Sequence, residues 1–276
     1  MNDIIQYFES IPSSHRALIL AGGIALFWLI ESAVPFVKFG YNKVQHAGIN
    51  IFFTVTTIIV NFCLAVILVN TAQWTVEHKF GLLNWLPEMN IWLFAIVGLL
   101  LLDLIGAYLA HLVEHKVKVL WRFHLIHHTD TWIDTTSGNR HHPGESVIRF
   151  VFTTMGVLIV GSPMWMVFLY QTLSVVATQF THANIALPKQ LDKVMSYFLV
   201  SPDMHKVHHH YVLPYTDSNY GNIFSIWDRL FGTFKTLERE KIVYGVDTHM
   251  KPEEHNDLKN LLSIPFQKHR SPNSES

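Results

Sequence analysis

Histidine is the residue whose number and spacing stand out, with 18 in a chain of 276. His111 and His115, in HLVEH, are spaced i, i+4 and so share one face of a helix. His124, His127 and His128, in HLIHH, and His205, His208 and His209, in HKVHH, form two i, i+3, i+4 triplets, each set along one helical stripe. His182 stands alone in QFTHANI. Neutral imidazole is a good ligand for iron, zinc, copper and nickel, and two metals at about four to five nitrogens each would absorb nine such ligands. A single i, i+4 histidine pair is more often an ordinary polar face. Two HxxHH triplets together with HxxxH are not explained that way, so the three sets read as metal ligands, with His182 as the ninth.

The remaining histidines carry the plainer reading. His15, His46, His78, His249, His255 and His269 are expected at the surface or the interface, and His210 as an exposed neighbour of the last triplet. His141 and His142, in NRHHPGE, are expected to be structural or to face a substrate. The single cysteine, Cys63, excludes both a disulfide framework and a thiolate-rich metal site. Asp103 is a carboxylate inside an apolar run, a costly placement that points to the protein interior. It is four-spaced with Ala107 and His111, so it either orients a histidine or accepts a bond from another helix. Residues 217–234 follow the last triplet, and Asn219, Gly221, Trp227, Asp228 and Gly232 within them read as a cap that positions the preceding helix. Asp228 with Arg229 reads by default as a surface pair.

The elements that must hold these side chains are membrane helices. Residues 17–37, 47–69 and 91–110 are apolar runs of twenty residues or slightly more, long enough to cross a hydrocarbon core of roughly 30 Å as helices. The first follows Asp3 and Glu9 and shows no small-residue cleavage site, so it is not expected to be a signal peptide. A fourth region, 147–180, is interrupted by Gly161, Ser162 and Pro163. It predicts a broken helical hairpin whose two ends emerge on the same side, with Arg149 snorkelling to that surface. Lys38 and Lys43 lie in the first loop and Lys116, Lys118, Arg122 and Arg140 after the third run, against Lys79 alone in the 70–90 loop. This bias places the histidine clusters on the cytoplasmic face.

The expected architecture is therefore all-α: a polytopic membrane protein of about four transmembrane helices bearing a cytoplasmic helical cap with a histidine-rich dimetal site. Residues 1–276 read as one domain, with three spans in 17–110, histidine clusters in 111–146, the hairpin in 147–181, the last cluster and cap in 182–235, and a polar tail in 236–276. In that tail 261–266 is a short apolar stretch and the end, from Gln267, reads as disordered. Half of all residues are hydrophobic and 15% are charged, against about 25% charged in a typical soluble domain. A net charge of −1 leaves no electrostatic footprint for nucleic acid.

The succession HxxxH, HxxHH, a lone histidine and HxxHH, followed by NYG and WDRLFGT, resembles the fatty acid hydroxylase superfamily, the integral-membrane, sterol-desaturase-like group. The resemblance covers roughly residues 95–235, with membrane helices ahead of it, and RHHPGE and THANI are similar to its bacterial branch. It implies a di-iron centre, with zinc as a possible substitute, held by His111, His115, His124, His127, His128, His182, His205, His208 and His209. Thr178 stands where some fatty acid 2-hydroxylases carry a tenth histidine. The implied reaction is hydroxylation of a membrane lipid with dioxygen, or desaturation on the same site. The implied partners are the lipid, dioxygen, and a separate electron donor of ferredoxin or cytochrome b5 type with its reductase. The implied location is a bacterial inner membrane.

Two rivals come from other classes. A metal transporter or sensor would place its ligands inside membrane helices near the midplane, whereas eight of these nine lie in polar segments. A bis-histidine haem protein would want single histidines facing each other across helices, not triplets on one.

Overall fold

A computed structural model of the chain describes residues 1–271. Among the described residues four helices are long and apolar enough to cross a membrane: Ser13–Ala33, Lys43–Trp85, Ile91–Lys116 and Pro143–Val160. Among the described residues there is no β-strand, only three isolated bridges. A short helix α1 (Asn2–Glu9) leads into α2 (Ser13–Ala33), and α3 is the long helix Lys43–Glu77. It outlasts the apolar run at both ends, and Asn42 caps its start, accepting from the Gln45 amide. The third span, α4, runs Ile91–Asp103, passes through a π turn at Leu104–Leu109 and resumes as Ala110–Lys116. Asn90 caps it through the Trp92 and Leu93 amides.

After α5 (Lys118–His128) come α6 (Pro143–Val160) and α7 (Met164–His182), the two arms of the broken hairpin. The break is local chemistry. Gly161 takes the left-handed φ of 75° that ends α6 and Pro163 then starts α7. Gly161 also lies directly against Gly81, with Asn84 Nδ2 donating to its carbonyl at 3.1 Å. So the hairpin tip and the 78–90 loop share one end of the bundle, and His142 and His182 both return to the other. Arg149 does not snorkel alone to that surface. It pairs with Glu114 at 2.8 Å and Glu145 at 2.9 Å.

The bundle turns apolar side chains outward, Phe62 being 81% exposed and Leu29 70%. Its inner contacts are close-packed. Gly106 of α4 and Gly156 of α6 face one another, as small residues do where membrane helices approach by packing rather than by the hydrophobic effect. Leu102, Val157, Met166 and Val167 fill the adjoining core.

The cap consists of short pieces: α8 (Lys189–Met195), α9 (Pro202–His208), α10 (Ile226–Leu230) and α11 (Leu258–Ser263). The apolar stretch expected in the tail packs on the protein rather than lying free. Leu261 and Ile264 are buried with Phe53, Leu125 and Ile126. Of the tail read as disordered, 272–276 lies outside the described residues, while Gln267 bonds to Asn260 and Ser263.

Candidate metal centre

Nine histidines converge where α4, α5, α7 and α9 meet. His111, His115, His124, His128 and His208 form one group and His127, His182, His205 and His209 a second, each with one ring nitrogen per residue within 4.8 Å of the others. Each HxxHH triplet divides between the groups. At about 100° per residue, the i and i+4 positions lie some 40° apart and i+3 falls on their other side. His124 and His128 therefore face the first group and His127 the second, whereas His205 and His209 face the second and His208 the first. The groups touch, with the His128 and His209 rings stacked at 4.8 Å between centroids.

The hydrogen bonds fix which nitrogen is bare. His111 Nδ1 donates to the Tyr220 carbonyl at 2.9 Å, His208 Nδ1 to that of Ser218 at 2.6 Å and His182 Nδ1 to that of Thr178 at 2.8 Å. Asp217 accepts from His115 Nδ1 at 3.1 Å and Glu145 from His124 Nδ1 at 2.7 Å. In these five rings Nε2 is left as a lone pair. Yet His111 and His124 bring their Nε2 atoms to 3.1 Å, and His124 and His128 theirs to 3.2 Å. In the second group the Nε2 separations are 3.2 Å for His127–His182, 3.0 Å for His182–His205 and 3.2 Å for His182–His209 and His205–His209. His111 and His124 both donate through Nδ1, so their facing Nε2 lone pairs repel unless a cation lies between them. Nitrogens bound at 2.0–2.1 Å to one ion sit roughly 2.9–3.4 Å apart, which these spacings match. His115 Nε2 and His208 Nε2 are buried with no hydrogen-bond partner, as inward-aimed ligand atoms require. The donor set thus fits metal ions of the kind imidazole binds.

Burial enforces the neutral form. The rings of His124, His127, His128, His205, His208 and His209 are held well below the usual imidazole value, by burial first and by neighbouring histidines second. Around them lies a charged frame. Glu145 bonds His124, His141 Nδ1 at 2.7 Å and Arg149. His141 also reaches the Gly138 carbonyl through Nε2 at 3.1 Å. His142 caps α6 by accepting from the Gly144 amide.

Of the two readings open for Asp103, the structure shows the bond to another element. Its oxygens accept from the amides of Ile223 and Phe224 at 3.3 and 3.2 Å and from Trp227 Nε1 at 3.1 Å. The π turn between Asp103 and His111 inserts an extra residue and rotates the two off a common stripe. Asp228 is no surface pair. It is fully buried and takes the amides of Tyr220 and Gly221 and the Thr233 hydroxyl. Asn219 ties the Met204 carbonyl of α9 to Lys235.

Several residues read as surface are interior. His210 is buried and accepts from the Val243 amide, and His249 and His255 are buried as well. His46 is 2% exposed, its Nε2 on Asp130 at 2.9 Å and its Nδ1 on Asp134 at 3.1 Å. Burial alone would raise the Asp130 carboxyl, but His46 and Arg140 hold it well below the ordinary carboxylate range. No local signal in the sequence marked His46, whose partners Asp130 and Asp134 are 84 and 88 residues away. Lys206, inside HKVHH, is fully buried, donates to the Ala183 carbonyl at 3.0 Å and is pushed down by burial to about 8. Glu31 ends α2 and accepts from the Thr135 and Asn184 amides.

Fold and site together define a polytopic helical membrane protein with a buried, nine-histidine centre. The family model for fatty acid hydroxylase matches residues 95–233. The chain belongs to the fatty acid hydroxylase family. It is 25% identical over 229 residues to ornithine lipid hydroxylase OlsE of Rhizobium tropici, covering 78% of this chain and 66% of that protein. It is 30% identical over 145 residues to alkylglycerol monooxygenase of Homo sapiens, covering 52% of this chain and 31% of that one. A cholesterol 25-hydroxylase-like protein of Danio rerio is 24% identical over 175 residues, covering 63% and 62%. The chain thus spans slightly under two thirds of the first relative and about a third of the second. No solved structure gives a significant match.

Proposed function

We propose that the chain is a dioxygen-dependent lipid hydroxylase whose histidines hold two iron ions. His111, His115, His124, His128 and His208 take one, and His127, His182, His205 and His209 the other. The convergence of buried imidazole nitrogens into two groups carries this reading, and the names of the relatives support the reaction. When bound, iron supplies the redox chemistry that places one atom of dioxygen in a C–H bond and releases the other as water, with two electrons and two protons from outside.

The chain's own work is placement. Asp217, Glu145 and the carbonyls of Tyr220, Ser218 and Thr178 fix the tautomer and angle of five rings. The buried walls keep bulk water from the ligand nitrogens. The apolar bundle holds an alkyl chain beneath them without the lipid leaving the bilayer. The lysine and arginine distribution supports a centre facing the cytoplasm, where a soluble electron donor of ferredoxin or cytochrome b5 type would reach it.

The test is iron content after anaerobic purification, followed by turnover of an ornithine lipid, an alkylglycerol ether lipid and cholesterol in vesicles under isotopically heavy dioxygen. About two irons per chain and a labelled alcohol support the proposal. An unlabelled alkene would replace hydroxylation by desaturation. Haem, or metal held indifferently to loss of His127 and His208, would overturn it.

A further inference from the structure

The cap carries an apolar surface that the metal centre does not use. Leu191 and Val194 of α8, Phe198 in the turn after it, and Leu230 and Phe231 at the end of α10 are exposed by 50, 59, 69, 70 and 51%. They belong to one lobe. The Ser225 amide donates to the Phe198 carbonyl at 3.2 Å, the Val200 amide to that of Ile223 at 3.0 Å and the Ser225 hydroxyl to that of Ser196 at 2.7 Å. Arg229 donates to the Ser196 carbonyl at 2.8 Å and lies over the Tyr197 ring at 5.0 Å.

The depth of this lobe is set by Asp103. The third span begins at Ile91, so Asp103 lies about 18 Å along it at 1.5 Å per residue, against a hydrocarbon thickness of roughly 30 Å. Asp103 is therefore about 12 Å short of the boundary on the histidine side. The amides of Ile223 and Phe224 and the indole of Trp227 bond to it there. Phe231 stacks on Tyr108, also in that span, at 5.3 Å. A segment fastened at that level, with exposed apolar side chains, stands beside the third span. Lys189 and Lys193 are exposed on α8 beside the patch, long enough to reach anionic headgroups while their stems lie on apolar surface.

We propose that the lobe formed by residues 189–199 and 223–231 is inserted into the leaflet on the histidine side, as a membrane-embedded wedge in addition to the spanning helices. The centre is then approached from within that leaflet as well as from water. The inference is independent of which metal or lipid the centre takes.

The experiment uses the full chain in vesicles of phosphatidylcholine and phosphatidylglycerol. In a Cys63→Ser background, Val194→Cys, Phe198→Cys and Leu230→Cys are labelled singly with an environment-sensitive fluorophore. Phe62→Cys serves as the lipid-facing control and Glu240→Cys as the aqueous one. Quenching by phosphatidylcholine brominated in its acyl chains at least half as deep as at Phe62, with little quenching by aqueous iodide, is expected at two or more of the three positions. Iodide quenching like that at Glu240 would overturn the proposal. So would protection from both quenchers, which would mean that a second copy or another protein covers the patch.

Discussion

His127 and His128 are chain neighbours that face different groups, so deleting them one at a time separates the two sites. His128→Ala removes one of five nitrogens and His127→Ala one of four. We expect each to lower iron content toward one ion per chain and to abolish turnover, measured by metal analysis and lipid product. Loss of both irons from either variant would show a single cooperative centre. Asp217 acts one bond further out. It accepts from His115 Nδ1, and burial alone would raise its carboxyl, but His115 and Lys116 hold it down at about 2. Asp217→Asn keeps the shape but weakens the acceptor. Partners of this kind are worth roughly 10–100-fold in metal affinity, and we expect a loss in that range by competition with a chelator.

At the scale of elements, two buried ties, one of hydrogen bonds at Asp103 and one ionic at His46, fasten segments beside the centre. Asp103→Leu strands two amides and an indole, each costing about 1–3 kcal/mol when left unpaired. We expect the thermal midpoint in detergent to fall clearly, with Asp103→Asn, which keeps one acceptor oxygen, between it and the parent. His46→Ala removes the cation between Asp130 and Asp134, and breaking a buried pair from one side costs about 3–5 kcal/mol. His15→Ala, at an exposed contact with Tyr7, should shift stability by less than about 0.5 kcal/mol. Equal effects of His46→Ala and His15→Ala would remove any structural role for the His46 clamp. These ties explain what was legible in the sequence. The spans, the hairpin break at Gly161–Pro163 and the histidine sets are periodic or local signals, and they were readable. The partners of Asp103, His46 and Asp228 lie up to 124, 88 and 8 residues away, on elements whose packing no local pattern encodes. The π turn was invisible for a related reason. LIGAYL has no residue that forbids an ordinary α turn, and the extra residue sits between two points fixed from the cap, Asp103 by Ile223 and His111 by Tyr220.

For the whole molecule, the decisive quantity is the free energy of keeping many neutral imidazoles in one place. The folded-state values of His124, His127, His128, His205, His208 and His209 lie well below that of free imidazole, about 6.5. The unfolded chain therefore binds more protons than the folded one once pH falls through 6.5, and stability drops with falling pH. Above that value the contribution is flat. Below it, each ring that stays neutral in the fold adds up to about 1.4 kcal/mol of loss per pH unit. Metal occupancy moves the same balance, because ligand binding requires the unprotonated nitrogen and stabilises the folded state by mass action. We therefore expect metal-free protein to have a thermal midpoint that falls steeply below about pH 6.5. Iron-loaded protein should melt higher at every pH and begin its decline at a lower one. Thermal unfolding in detergent across that range, with and without chelator, checks both. A metal-free midpoint that rises on acidification would mean that the rings take up protons more readily in the fold than out of it, and that they are not buried as ligands.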